Sequence, residues 1–161
     1  MRQPHNLYVE DNFLSPNECM EMIALYNENI LNTTKRDNFT YFDVGEDMPI
    51  EHDLVQDVWI RQNVLAKKLA NARTHWAQIY EWKKGQKMGL HNDVASKHTM
   101  YTSVLYLNDD FEGGETQLED GTTIVPKKGR IFFYDGISYF HRVRKLESGT
   151  RYTIASWYKR I

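Results

Sequence analysis

Apolar and polar positions in the first half of the chain repeat with a helical period. In SPNECMEMIALYNENIL (15–31), Cys19, Met22, Ile23, Tyr26 and Ile30 fall on one face, which predicts a helix packed against something larger. Its start is signalled three ways, by Ser15 as N-cap, Pro16 at the first position and Glu18 as capping-box partner. The period returns from about Asp53 in DLVQDVWIRQNVLAKKLANAR, where Leu54, Val55, Val58, Trp59, Leu65 and Leu69 form the stripe of a second helix. Between the two, TTKRDNFTYFDVGEDMP is mixed, polar and ends in proline, and reads as a loop containing one short strand.

From Thr74 onward the pattern changes to short aromatic and β-branched runs. AQIYEW, TSVLYLN, ETQLE, TTIVP, RIFFYD and RYTIASWY read as strands, separated by turn signals such as FEGGE, EDGT and KKGR. The spacing suits an antiparallel sandwich or barrel and leaves no room for crossover helices between parallel strands. Helices first and antiparallel strands after is the expected architecture, with the helices supporting the sheet. No internal repeat or low-complexity tract interrupts it.

Composition narrows the class. At 161 residues, 41% apolar and 26% charged, the chain has the length and make-up of one folded domain, expected over 1–161 with helical support about 15–73 and a β core about 74–158. A formal charge of −2 gives no global field toward DNA, RNA or an anionic membrane. The single cysteine, Cys19, excludes an internal disulfide and fits a reducing compartment. The opening MRQPHNLYVEDNF lacks the apolar core of a signal peptide, so the expectation is a soluble cytoplasmic protein, monomer or homodimer, without nucleic-acid or membrane partners.

Candidate chemistry concentrates in the β-rich half. In MGLHNDVASKHTM (88–100), His91 and Asp93 stand at i and i+2, which on an extended chain places both side chains on one side. Alone, such a pair is more often a solvated turn than a metal site. His141, in HRVRKLESGTRYTIASWY (141–158), supplies a third donor. Two histidines and one carboxylate with the remaining positions open is the set that suits non-haem Fe(II) and oxygen chemistry. Ten residues on, Arg151 offers a planar fork for a carboxylate, and Thr153 adds a hydroxyl on the same strand face. His98 reads as a loop residue near the substrate, the GG at 113–114 as a turn, and Arg142, Arg144 and Lys145 as a solvated basic face or a rim for an acidic peptide or nucleotide.

With these residues in order, the sequence resembles the Fe(II)/2-oxoglutarate-dependent dioxygenases, and among them the prolyl 4-hydroxylase-like group. The likeness runs from about residue 74 to 158 and rests on GQKMGLHND, VLYLNDDFEGGETQL, PKKGRIFFYDG and HRVRKLESGTRYTIASWY. It implies a double-stranded β-helix, the distorted jelly roll related to cupins. It implies Fe(II) held by His91, Asp93 and His141, and 2-oxoglutarate held by Arg151 with Thr153 and Tyr106. Either Tyr80 or Trp82, which share one strand face, is implied as a further cosubstrate contact. Dioxygen is the co-reactant, ascorbate a candidate reductant, and succinate and carbon dioxide the coproducts. No catalytic residue beyond the metal ligands is implied. The departure is Arg151, where collagen-type prolyl 4-hydroxylases commonly carry lysine, which leaves the substrate open.

The expected substrate is C4 of a prolyl residue in a peptide or protein. Two other readings stand beside it. One keeps the oxygenase and changes the substrate to a free amino acid, small metabolite or nucleobase. The other is a non-enzymatic cupin-like metal-binding module, which would have no use for a dicarboxylate anchor at Arg151 and Thr153.

Overall fold

A computed structural model describes residues 7–45, 51–93 and 99–161. The first helix, α1 (Pro16–Glu28), starts where its signals place it, because the capping box closes in both directions. The Ser15 amide donates to Glu18 Oε1 at 2.9 Å and the Glu18 amide to Ser15 Oγ at 3.2 Å. The helix ends one turn early for Ile30, which lies in a 3-10 turn and is 47% exposed, while Leu25 joins Cys19, Met22 and Tyr26 in the core. Asn29, its side-chain amide donating to the Leu25 carbonyl and its backbone N–H to the Tyr26 carbonyl, ends the α-helical period before Ile30 is reached.

The second helix, α2 (Asp53–Ala70), buries Leu54, Val55, Val58 and Leu65, with Trp59 and Leu69 partly covered. It begins with Asp53, ends with Lys67 and Lys68 and stops at Asn71 in the left-handed conformation, each matching the helix dipole or the need for a C-terminal cap. The strand that follows starts at Ala72, slightly ahead of the expected boundary. No helix among the described residues is long and apolar enough to cross a membrane.

Three short strands precede the β-rich half: β1 (Tyr8–Glu10), β2 (Thr34–Lys35) and β3 (Thr40–Asp43). The loop between the helices therefore holds two strands where the sequence predicts one. β2 is two polar residues with no alternation to read, and it exists because the Arg36 amide bonds to the Phe39 carbonyl and folds it back on β3. The remaining strands are β4 (Ala72–Lys83), β5 (Met88–His91), β6 (Thr99–Tyr106), β7 (Glu112–Gly113), β8 (Thr116–Leu118), β9 (Thr123–Ile124), β10 (Ile131–Tyr134), β11 (His141–Val143), β12 (Leu146–Ser148) and β13 (Thr150–Arg160). Gly113, read as part of a turn, pairs with Leu146 in the small β7–β12 ladder.

All described pairings are antiparallel. The larger sheet has the order β1-β10-β6-β13-β4-β3-β2, and the smaller has the order β5-β11-β8-β9. Strand alternation gives the larger sheet two different faces. Ile79, Leu105, Ile131 and Ile154 point toward α1 and α2 and form the main core with their apolar stripes. Each fully buried Leu or Ile there contributes about 1.5–3 kcal/mol. The alternate positions, among them Val104, Tyr106, Phe132 and Tyr134, point to the smaller sheet and pack on Leu118 and Ile124. This two-sheet sandwich with helices behind it is the expected double-stranded β-helix, and the space between its sheets holds the site.

Candidate active site

β5 and β11 bring the two histidines together. They pair antiparallel with His91 opposite His141, so ring centroids lie 4.4 Å apart. Asp93 follows two residues after His91, and its amide is fixed by the Gly136 carbonyl at 2.8 Å in the turn between β10 and β11. One donor atom from each of the three residues lies within 4.8 Å of the others. Asp93 Oδ1 is 3.3 Å from His141 Nε2 and 3.7 Å from His91 Nε2.

The outer atoms of the trio are already committed. His91 Nδ1 meets the Gly89 carbonyl at 2.8 Å and His141 Nδ1 the Tyr139 carbonyl at 3.3 Å. Each carbonyl accepts from Nδ1–H, which leaves the Nε2 lone pairs for a cation, the arrangement that orients metal-binding imidazoles. Thr102 donates to Asp93 Oδ2 at 2.6 Å and leaves Oδ1 facing the histidines. Gly136 makes room for this contact, since a Cβ there would sit 2.5 Å from Thr102 Oγ1 and 2.6 Å from Asp93 Oδ2.

Electrostatics prepares the same chemistry. Burial depresses the His91 imidazole below its ordinary value and favours the neutral ring that binds metals. Burial would raise the Asp93 carboxyl, but hydrogen bonding and charge from His141, with the Thr102 hydroxyl, outweigh it and keep the carboxyl below its usual range. A neutral His91 ring and an ionised Asp93 carboxylate beside His141 Nε2 fit a divalent cation with oxygen and nitrogen preferences.

Asp93 and His141 line a cavity of about 130 Å³ that Arg151 also lines. That is room for roughly ten water-sized groups, the scale of a five-carbon dicarboxylic acid. Arg151 is only 2% exposed and has no carboxylate within ion-pair distance among the described residues. Its contacts are weak: Nη1 to Thr153 Oγ1 at 3.4 Å, Nη2 to Thr116 Oγ1 at 3.3 Å, and Nε unpartnered. Burial lowers its pKa, and the nearby Tyr106 works against that. A buried guanidinium without a counter-ion is costly unless an anion completes it. Gly114, at φ +67°, allows its approach, since a Cβ there would lie 3.0 Å from Arg151 Cδ.

The other expected cosubstrate contacts divide. Trp82 is the register partner of Arg151, its ring lies 5.5 Å from the guanidinium carbon, and its buried indole N–H has no partner. Tyr80 also lines the cavity, but its hydroxyl is bonded to Gln78 Oε1. Tyr106 lies behind Arg151, its ring 5.4 Å from the guanidinium carbon, and does not line the cavity. Thr153 lines it beside Arg151 as strand parity predicts. Thr102, Thr116 and Gly136 carry no readable signal in the sequence, because each acts through a neighbour from another strand. His98 lies outside the described residues.

A family model for the 2OG-Fe(II) oxygenase superfamily matches residues 76–159, just over half of the chain. The chain belongs to this superfamily. Iron(II) and 2-oxoglutarate are its cofactors, and the trio, with Asp93 and His141 lining one cavity together with the lone arginine, fits that pair. Among curated relatives, 2-oxoglutarate and iron-dependent oxygenase domain-containing protein 3 of Rattus norvegicus is 48% identical over 61 residues, 34% of this chain and 19% of that protein. Prolyl 3-hydroxylase 2 of Homo sapiens is 42% identical over 65 residues, 36% of this chain and 9% of that protein. The chain thus matches a fifth or less of either relative's length. A Pseudomonas putida prolyl-4-hydroxylase structure superposes with a TM-score of 0.83 at 15% identity, over 98% of this chain and 94% of that one, which establishes the shared double-stranded β-helix.

Proposed function

We propose that this oxygenase hydroxylates a prolyl residue in a peptide or protein, at C4. The observation that carries the dioxygenase chemistry is Arg151, a buried cation that, among the described residues, has no counter-ion and lines the same cavity as Asp93 and His141 of the trio. A structural metal site would not require it.

When bound, iron with 2-oxoglutarate and dioxygen supplies an oxidant for an unactivated C–H bond, and succinate and carbon dioxide are released. The chain's part is positioning and exclusion. His91, Asp93 and His141 would hold the metal through Nε2, Oδ1 and Nε2, their other atoms pinned by Gly89, Thr102 and Tyr139. Arg151 neutralises the far carboxylate of 2-oxoglutarate, with hydroxyls from Thr153 and Thr116 and the indole N–H of Trp82 completing its hydrogen bonds. Aromatic walls enclose the cavity, including Tyr134, which meets the His141 ring edge-on at 5.0 Å.

The substrate reading is supported by a wider groove of about 410 Å³ that opens over His91 and Asp93. Trp76 and Trp157 stack there at 4.9 Å, with Tyr41 nearby, and such flat faces suit the preformed ring of proline in an extended peptide. The P. putida neighbour is a prolyl-4-hydroxylase and supports C4. The human relative is a prolyl 3-hydroxylase and favours C3 as the second reading. The test is succinate release with Fe(II) and 2-oxoglutarate, with and without proline-rich peptides, followed by a search for the mass gain of one oxygen. Separation of 3- from 4-hydroxyproline after hydrolysis assigns the carbon. No peptide-stimulated turnover and no oxygen gain would end the prolyl reading.

A further inference from the structure

The strands that carry the two histidines also carry an unpaired basic groove. It has a volume of about 310 Å³ and is lined by Lys87, Leu90, Arg142, Arg144 and Lys145, with Met88 at its edge. Arg142 alternates with His141 and Val143, which face the cavity, so its side chain points the other way. All four cations are exposed, and among the described residues none has a carboxylate partner. Arg142 instead donates from Nε to the neutral Gln117 Oε1 at 2.8 Å.

The net charge of the chain is −2, and four cations elsewhere on it are paired with carboxylates: Arg61 with Glu18 and Asp57, Lys83 with Glu81, Lys127 and Arg130 with Asp11. Four like charges on one groove repel one another unless an anion covers them. Leu90, 56% exposed, stands among them. The pairing shifts between His141–His91 and Val143–Met88, so β5 has one residue more than β11 over this stretch and bulges there.

We propose that this groove docks an acidic stretch of the polypeptide substrate, with an apolar side chain of that stretch on Leu90. Charge complementarity supplies the class of partner. No residue lining the groove is aromatic, so it lacks the stacking platform that single-stranded nucleic acid uses, and an acidic peptide fits better. Met88 lines the cavity, the wider groove over the metal ligands and the basic groove, so the three surfaces are continuous across β5. A substrate seated over the metal reaches the cations by continuing along that strand. The inference rests on the polypeptide reading above and adds an acidic flank to it.

The test is fluorescence anisotropy with a labelled, proline-free peptide of glutamates around one leucine, against the same peptide with glutamines. The doubly reversed variant Lys87→Glu/Arg144→Glu is compared with wild type, and peptide-independent succinate release serves as the check that it is folded. Expected are preference for the glutamate peptide, loss of that preference at high salt, and weakening of roughly tenfold in the variant, the scale of two exposed ion pairs turned to repulsion. Hydroxylation of prolyl peptides should rise with an acidic flank in wild type and not in the variant. Equal binding of the two peptides, unchanged binding by the variant, or tighter binding of oligothymidylate than of the glutamate peptide overturns the groove. Intact glutamate-peptide binding without hydroxylation of any prolyl peptide overturns the prolyl reading alone.

Discussion

His91 and His141 face each other as register partners on antiparallel β5 and β11, and both turn Nε2 toward Asp93 Oδ1. That pairing makes the metal site a property of strand register. A one-residue slip would turn one imidazole to the opposite face of the smaller sheet.

Asp93→Ala removes the only anionic group of the trio, and His141→Ala removes its most buried member. Both variants should lose Fe(II) in a metal titration and lose succinate release with it. Fe(II) bound by His141→Ala as tightly as by wild type would remove His141 from the ligand set.

Gly136→Ala tests how Asp93 is aimed. The new methyl would press on Thr102 Oγ1 and Asp93 Oδ2, so the carboxylate must turn. Outer contacts of this kind are worth about 10–100-fold in metal affinity. The expected result is that loss in an Fe(II) titration, with thermal stability lowered by about 1–3 kcal/mol for overpacking.

Arg151→Ala should raise the 2-oxoglutarate concentration needed for half-maximal turnover while Fe(II) binding stays near wild type. Leaving a buried carboxylate unpaired costs about 2–5 kcal/mol, a rise of roughly thirtyfold or more. Unchanged dependence on 2-oxoglutarate would refute the anchor.

Trp82→Phe and Tyr80→Phe separate the two aromatic candidates. Trp82 keeps a buried N–H free beside Arg151, whereas the Tyr80 hydroxyl is spent on Gln78. Loss of one bond to a charged group is worth about 1.5–3 kcal/mol. The Trp82 variant should therefore weaken 2-oxoglutarate binding by roughly ten- to hundredfold, and the Tyr80 variant should leave it unchanged.

Acid stability should depend on Glu18. Hydrogen bonding from Arg61, then from the Ser15 amide, holds its carboxyl below the ordinary 4.5. A folded-state pKa below the unfolded one contributes stability that is present above pH 4.5 and lost as pH falls through the lower, folded value. Melting temperature measured against pH should fall less steeply below about pH 4.5 in Glu18→Gln than in wild type. A parallel decline in the two proteins would show that Glu18 does not carry this acid sensitivity.

Much of this protein is local and therefore legible. The capping box at Ser15–Glu18, the stripe of α2 and the parity that places Thr153 beside Arg151 follow from helical and strand periods within a few residues. His91, Asp93, His141 and Arg151 are visible as types and in order. Their convergence was decided by tertiary structure, because β11 must pair with β5, and β13 with β4, across long stretches of chain. The same long-range register brings Thr102 and Gly136 to Asp93 and Thr116 to Arg151, leaves Trp82 with a free N–H, and aligns Lys87 with Arg142 and Arg144 on one groove. Backbone period dictates which face a side chain takes; only strand pairing dictates what it meets there.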